Sequence, residues 1–145
     1  MNGSTETEAP LLEVDGLGVT FYTPRGTFRA VRDASLEIAR GEVVGLVGES
    51  GCGKSTVAFA MMGYLPGTAR VDGTIRVEGA NIAELSQSEL RDLRGNRVAM
   101  VYQDPATALN PSMRVGAQLE EVLLEHMDID SQGARQRTVE LFESV

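Results

Sequence analysis

Three features of the sequence predict an α/β fold, in which an N-terminal antiparallel sheet packs on a parallel sheet. One is a run that is apolar at every position, Val43–Val47, followed at once by a glycine-rich loop and a helical segment. The second is another continuous apolar run, Val98–Tyr102. The third is the alternation of apolar and polar residues upstream of both. A strand buried on both faces reads as a continuous apolar run, whereas a half-buried strand alternates.

The elements follow in order. Residues 1–10, MNGSTETEAP, are polar and predict a disordered tail. They hold no basic cluster and no apolar stretch, so they do not form a signal peptide. Leu11–Val14 and Leu17–Phe21 alternate as strands, with a turn expected at Asp15-Gly16. Thr23–Gly26 is a second turn signal, and Val31–Ala39 alternates as a half-buried strand that ends at the Arg40-Gly41 turn. Val43–Val47 and Val98–Tyr102 predict central parallel strands. Between them, Ser55–Leu65 predicts a helix closed by Pro66-Gly67, and Val71–Glu78 predicts a strand with Asp72-Gly73 at its start. Ser86-Gln87-Ser88-Glu89 is a capping box that opens a short helix, which Gly95-Asn96 should stop. Gln103–Pro111 holds two prolines and predicts a loop. Val115, Leu119, Val122, Leu123 and His126 then share one helical face, and a last amphipathic segment starts near Ser131.

Composition narrows the function. The chain has 145 residues and a net charge of -8, from 21 acids against 13 bases. Nucleic-acid binding needs a basic face, and this balance argues against it. No stretch approaches the ~18 apolar residues of a membrane-spanning helix. Cys52 is the single cysteine, so no internal disulfide forms, and a reducing compartment is the simplest setting. Of the 13 bases, 12 are arginine and one is lysine. That lysine, Lys54, lies in the most informative motif of the chain.

Gly48-Glu49-Ser50-Gly51-Cys52-Gly53-Lys54-Ser55 matches G-x-x-x-x-G-K-[ST] in full, with an apolar run before it and a helix after it. The residue types suit a dense anion such as a nucleoside triphosphate. Backbone N–H groups cradle the phosphate oxygens, and Gly51 and Gly53 avoid side-chain clashes there. The N-terminus of the following helix adds unpaired donors and the positive end of its dipole. Lys54 reaches the β- and γ-phosphates, the Ser55 hydroxyl takes Mg²⁺, and Thr56 touches the α-phosphate. Cys52 fills a loop position. No histidine lies near it to act as a base, since His126 is the only one.

GEVVGLVGESGCGKST, with Gln103 in VYQDPATALNP placed 49 residues beyond Lys54, resembles the ATP-binding-cassette (ABC) ATPases. GESGCGKST, Arg91–Gly95 and the QDPATALNP loop give a narrower resemblance to the ATPase subunits of oligopeptide, dipeptide and nickel importers. The resemblance implies a P-loop ATPase domain over 11–145, with the phosphate loop at 48–55, a glutamine loop at 103–111 and a helical subdomain starting at 114–145. It implies ATP and Mg²⁺ as ligands, held by Gly48, Glu49, Ser50, Gly51, Cys52, Gly53, Lys54, Ser55 and Thr56. It assigns Gln103 to Mg²⁺ and the attacking water, and an upstream aromatic to the adenine. Phe21 and the neighbouring Tyr22 both fit that last role, and an ordinary strand position is an equal reading of Phe21. The implied partners are transmembrane permease subunits, a second ATPase subunit and, indirectly, an external solute-binding protein, at the cytoplasmic face of the membrane and with no nucleic acid.

The family pattern also contains an LSGGQ-type motif, an aspartate that helps hold Mg²⁺, a catalytic glutamate and a switch histidine. No Gly-Gly pair occurs in this sequence, and no apolar run after Gln103 ends in Asp-Glu. The expectation is therefore the N-terminal part of a longer ATPase, without turnover by itself and with apolar residues exposed where flanking strands belong. The alternatives are an inactive nucleotide-binding remnant or a non-transport ABC ATPase.

Overall fold

The computed structural model describes residues 9–103 and 109–145. The expected tail thus lies outside the described residues for positions 1–8, as do positions 104–108 of the expected glutamine loop. The chain forms two compact units, one ending at Asp92 and the other starting at Leu93.

The first unit is built on a four-stranded antiparallel sheet. Its strands are β1 (Leu12–Thr23), β2 (Gly26–Ile38), β3 (Ala69–Val77) and β4 (Ala80–Asn81), in the order β2-β1-β3-β4. The expected turn after Thr23 closes the β1–β2 hairpin, with Thr23 paired to Gly26. Thr23 Oγ1 donates to Gly26 O at 2.8 Å and accepts from Arg25 N at 3.3 Å. Val14, Leu17 and Val19 of β1 are the most deeply buried large side chains.

Asp15-Gly16 is not a turn. It is an irregularity inside one continuous strand, and the pairing with β3 resumes at Gly18 opposite Asp72. Gly16 N donates to Ser35 Oγ at 2.9 Å, so β2 satisfies the displaced donor. Opposite the irregularity stands Gly73, at φ +87°, where a Cβ would lie 2.5 Å from Gly16 O and 2.6 Å from Asp15 O. Both neighbours are backbone, so the crossing admits only glycine. β3 begins at Ala69, so the Asp72-Gly73 pair sits inside the strand rather than at its start.

Helix α1 spans Lys54–Met61 and buries Val57 and Ala60. It stops short of the expected Leu65, because the chain turns at Met62-Gly63. The capping box forms as the sequence predicts. Ser86 N donates to Glu89 Oε2 at 2.7 Å, and Glu89 N donates to Ser86 Oγ at 3.3 Å, at the start of α2 (Gln87–Asp92). The Ser86 bonds hold the Glu89 carboxyl below its ordinary pKa. A lowered carboxylate pKa stabilises the fold above the unfolded value, and this is lost as pH falls through the folded one. Ser86→Ala is expected to cost about 1 kcal/mol as a lost helix cap. Urea unfolding at neutral pH and in acid should show the gap between variant and parent narrowing as Glu89 protonates, but not vanishing, because the Glu89 N bond to Ser86 Oγ persists in acid.

The two continuous apolar runs differ from expectation. Neither Val43–Val47 nor Val98–Tyr102 pairs with a strand among the described residues, so neither is a parallel strand there. Val43 is 96% exposed, Val47 90% and Val101 97%. An apolar run records that both faces want cover; a ladder also needs a neighbour whose backbone groups pair with it.

In the second unit a π-helical turn, Leu93–Arg97, runs through the expected stop at Gly95-Asn96. Two helices follow, α3 (Val115–His126) and α4 (Ser131–Glu143), and they pack on each other. Asp130 caps α4 by accepting from Gly133 N at 2.8 Å. Of the expected α3 face only Leu123 is buried, while Val115 and Val122 are exposed. A single partner helix covers one line of contact rather than a wide stripe. The His126 ring lies against Gly95, where a Cβ has no room.

Candidate functional site

Residues 48–55 lead from the first apolar run into α1. The loop lies tight against β2, for a Cβ on Gly53 would come 2.7 Å from Ala30 O and 3.6 Å from Val31 Cγ2. Gly53 also holds φ +101° as the residue before the helix, a conformation that costs other residues strain. A Cβ on Gly48 would meet Cys52 Sγ at 2.7 Å, so the loop closes on itself as well.

Lys54 organises this closure. Its Nζ donates to Gly48 O at 2.8 Å and to Glu49 O at 2.7 Å, and it stands 3.6 Å from Cys52 Sγ. The ammonium thus sits inside the curl of the loop. Within α1 the first bond back to the loop is Val57 N to Gly53 O at 3.0 Å. The N–H groups of Lys54, Ser55 and Thr56 precede it. No side chain caps this terminus, and its first turn holds no acid. One cation and an uncapped helix start therefore act at the same place, and both favour an anion. Glycines where a Cβ would collide, together with this donor set, fit a phosphate chain.

A cavity of about 440 Å³ adjoins the loop, with Val31, Asp33, Leu46, Val47, Cys52 and Lys54 among its walls. Val31 is the residue beneath Gly53, so the loop covers the sheet face to which Val31 and its partner Val19 belong. Phe21, two residues beyond Val19 on β1, points to that same face. Tyr22 points to the other. There it joins Asp72 in raising the Arg70 pKa above its ordinary value, with Asp72 the larger cause through a 2.9 Å contact. Neither aromatic lines the cavity itself. Gln103 is exposed at a bend in the second unit.

Sequence reasoning missed part of this arrangement. It started β2 at Val31, yet the strand begins at Gly26 and carries Phe28 opposite Phe21. The polar residues Thr27 and Arg29 around Phe28 are the alternation that could have shown it.

The loop and fold define a phosphate-loop nucleotide-binding protein. Residues 31–144 match the ABC transporter family, and the chain belongs to that family. It is 44% identical to the oligopeptide transport ATP-binding protein OppD of Salmonella typhimurium, over 97% of this chain and 44% of that protein. It is 42% identical to the dipeptide transport ATP-binding protein DppD of Bacillus subtilis, over 93% of this chain and 41% of that one. The chain thus spans under half the length of these relatives. Its fold matches the ATP-binding cassette MJ0796, solved as a dimer in a post-hydrolysis state bound to ADP and Pi. The TM-score is 0.72 at 22% identity, covering 89% of this chain and 54% of that one. Among the described residues no helix is long and apolar enough to cross a membrane.

Proposed function

We propose that this chain supplies the nucleotide-cradling part of the ATP-binding subunit of an ABC importer that carries peptides or a related small solute. The single observation behind this reading is Lys54 held inside the glycine loop at the uncapped start of α1. The names of the OppD and DppD relatives support the peptide branch.

In this reading the N–H groups from Gly51 to Thr56 and the Lys54 ammonium bind the phosphates, with Gly48, Glu49, Ser50 and Cys52 shaping the loop. Lys54 exchanges its two carbonyl partners for phosphate oxygens. Phe21 supports the adenine, because it shares the face covered by the loop and Tyr22 does not. Ser55, in the first turn of α1, is the loop residue that would hold Mg²⁺; for Gln103, in the other unit, the same role is carried by the family resemblance alone. When bound, that ion would supply neutralisation of phosphate charge. Gln103 would also orient the attacking water. The partners are transmembrane permease subunits and a second ATPase subunit, with an external solute-binding protein acting through the permease. The site of action is the cytoplasmic face of the membrane.

Two measurements test this. Titration with ATP-Mg²⁺ should give saturable binding that an equal concentration of free phosphate does not match; no binding by folded protein removes the reading. A polypeptide of these 145 residues should release no phosphate above background, because no Asp-Glu pair after Gln103 offers a general base. Steady turnover abolished by Lys54→Ala would show that a group in this chain other than an Asp-Glu pair serves as the base.

A further inference from the structure

We infer that Phe28 is a second aromatic contact for the nucleotide base, forming a two-ring platform with Phe21. The inference rests on the nucleotide-site reading above.

Phe28 stands directly opposite Phe21 in the β1–β2 ladder. Directly opposed residues of an antiparallel pair share a face and lie close enough for their side chains to touch. That face is the one on which the phosphate loop sits, because Val31 and Val19 occupy it under Gly53. The strand is irregular between these points, since β2 places Ala30 between the partners of Val19 and Thr20. The extra residue lets Phe28 and Val31 face the same way although they are three apart. Three residues of strand span ~10 Å. That separation leaves room for a sugar and the first phosphate between an aromatic platform at Phe28 and the loop at Gly53.

Exposure separates the two rings. Phe21 is partly covered, whereas Phe28 is 61% exposed on an edge strand. Among the described residues neither ring stacks on another aromatic, so no other ring takes the face that a ligand would use; the ring pair of this unit is Phe59 with Tyr64. A large exposed ring beside a phosphate-binding loop has a flat face to offer, and every base has one to stack on it. Phe21 alone would present one partly covered ring. Phe28 extends it toward the solvent side, where a purine would otherwise be wet.

The test compares ATP with inorganic tripolyphosphate, which carries the phosphates and no base, by calorimetric titration of the purified chain. Phe28→Ala should weaken ATP binding about five- to tenfold, the low end of a base–aromatic stack. It should leave tripolyphosphate affinity unchanged. Phe28→Val retains a strand-favouring apolar residue without the ring and should behave like Phe28→Ala, whereas Phe28→Tyr should keep the parent affinity. Unchanged ATP binding in Phe28→Ala overturns the inference. So does an equal loss for ATP and tripolyphosphate, which would mean a displaced loop rather than a missing ring. A parent chain that binds neither probe sinks the nucleotide-site reading itself, and is recognisable as that.

Discussion

Lys54→Ala is expected to weaken ATP-Mg²⁺ binding from about tenfold to more than a hundredfold, the worth of one charged hydrogen bond of about 1.5–3 kcal/mol. Lys54 is the chain's sole lysine and the cation at the mouth of α1. Its Nζ sits 2.8 Å from Gly48 O and 2.7 Å from Glu49 O, which fixes it within the loop. Removing it takes away a donor to the phosphates and also the two bonds that hold the curl. A flatter loop would then aim its N–H groups less well, which adds to the loss. Lys54→Arg separates the terms, because it keeps the charge but carries a planar fork too wide for the curl. It should bind better than alanine and worse than the parent. Binding should also weaken with added salt, since the contact is between opposite charges near the surface. Unchanged affinity for Lys54→Ala, in protein with a parent-like circular dichroism spectrum, would remove the phosphate-loop assignment.

The same loop shows why some parts of the molecule were legible in the sequence. The phosphate loop needs specific residue types at fixed spacing, so Gly48–Ser55 announces itself. The Thr23–Gly26 hairpin and the Ser86–Glu89 capping box are equally local: each partner lies three residues from the other. Elements that depend on distant partners were harder to read. Gly16 looks like a turn until Gly73 is seen beside it, across 57 positions of chain. Val43–Val47 and Val98–Tyr102 announce a demand for cover on both faces, and no described strand meets it. Periodicity reports what a segment would bury, not what it finds. The choice between Phe21 and Tyr22 is of the same kind. Adjacent strand residues face opposite ways, and only the position of the loop over Val31 shows which of the two shares its face.

Gly73→Ala is expected to be the most damaging single-methyl change in the sheet. Gly73 holds φ +87°, a region that strains residues with a side chain. The added Cβ would also fall 2.5 Å from Gly16 O and 2.6 Å from Asp15 O. A flexible side chain could swing away, but these are backbone carbonyls of β1, and the strand is held to β2 and β3 on either side of the irregularity. Relief requires β1 and β3 to part where Val14 and Leu17 are buried. Strain and overpacking together predict a loss of roughly 2–6 kcal/mol. A domain's whole margin is about 5–15 kcal/mol, so much of the population should unfold under mild denaturant. Gly67→Ala is the matched control, with no atom within 4 Å of its added Cβ and no positive φ. It should stay within ~0.5 kcal/mol of the parent. Urea unfolding followed by circular dichroism distinguishes the two. If Gly73→Ala unfolds at the parent's midpoint, β1 and β3 do not cross as closely as described. The face shared by Val19 and Phe21 would then lose the register that sets it beneath the loop.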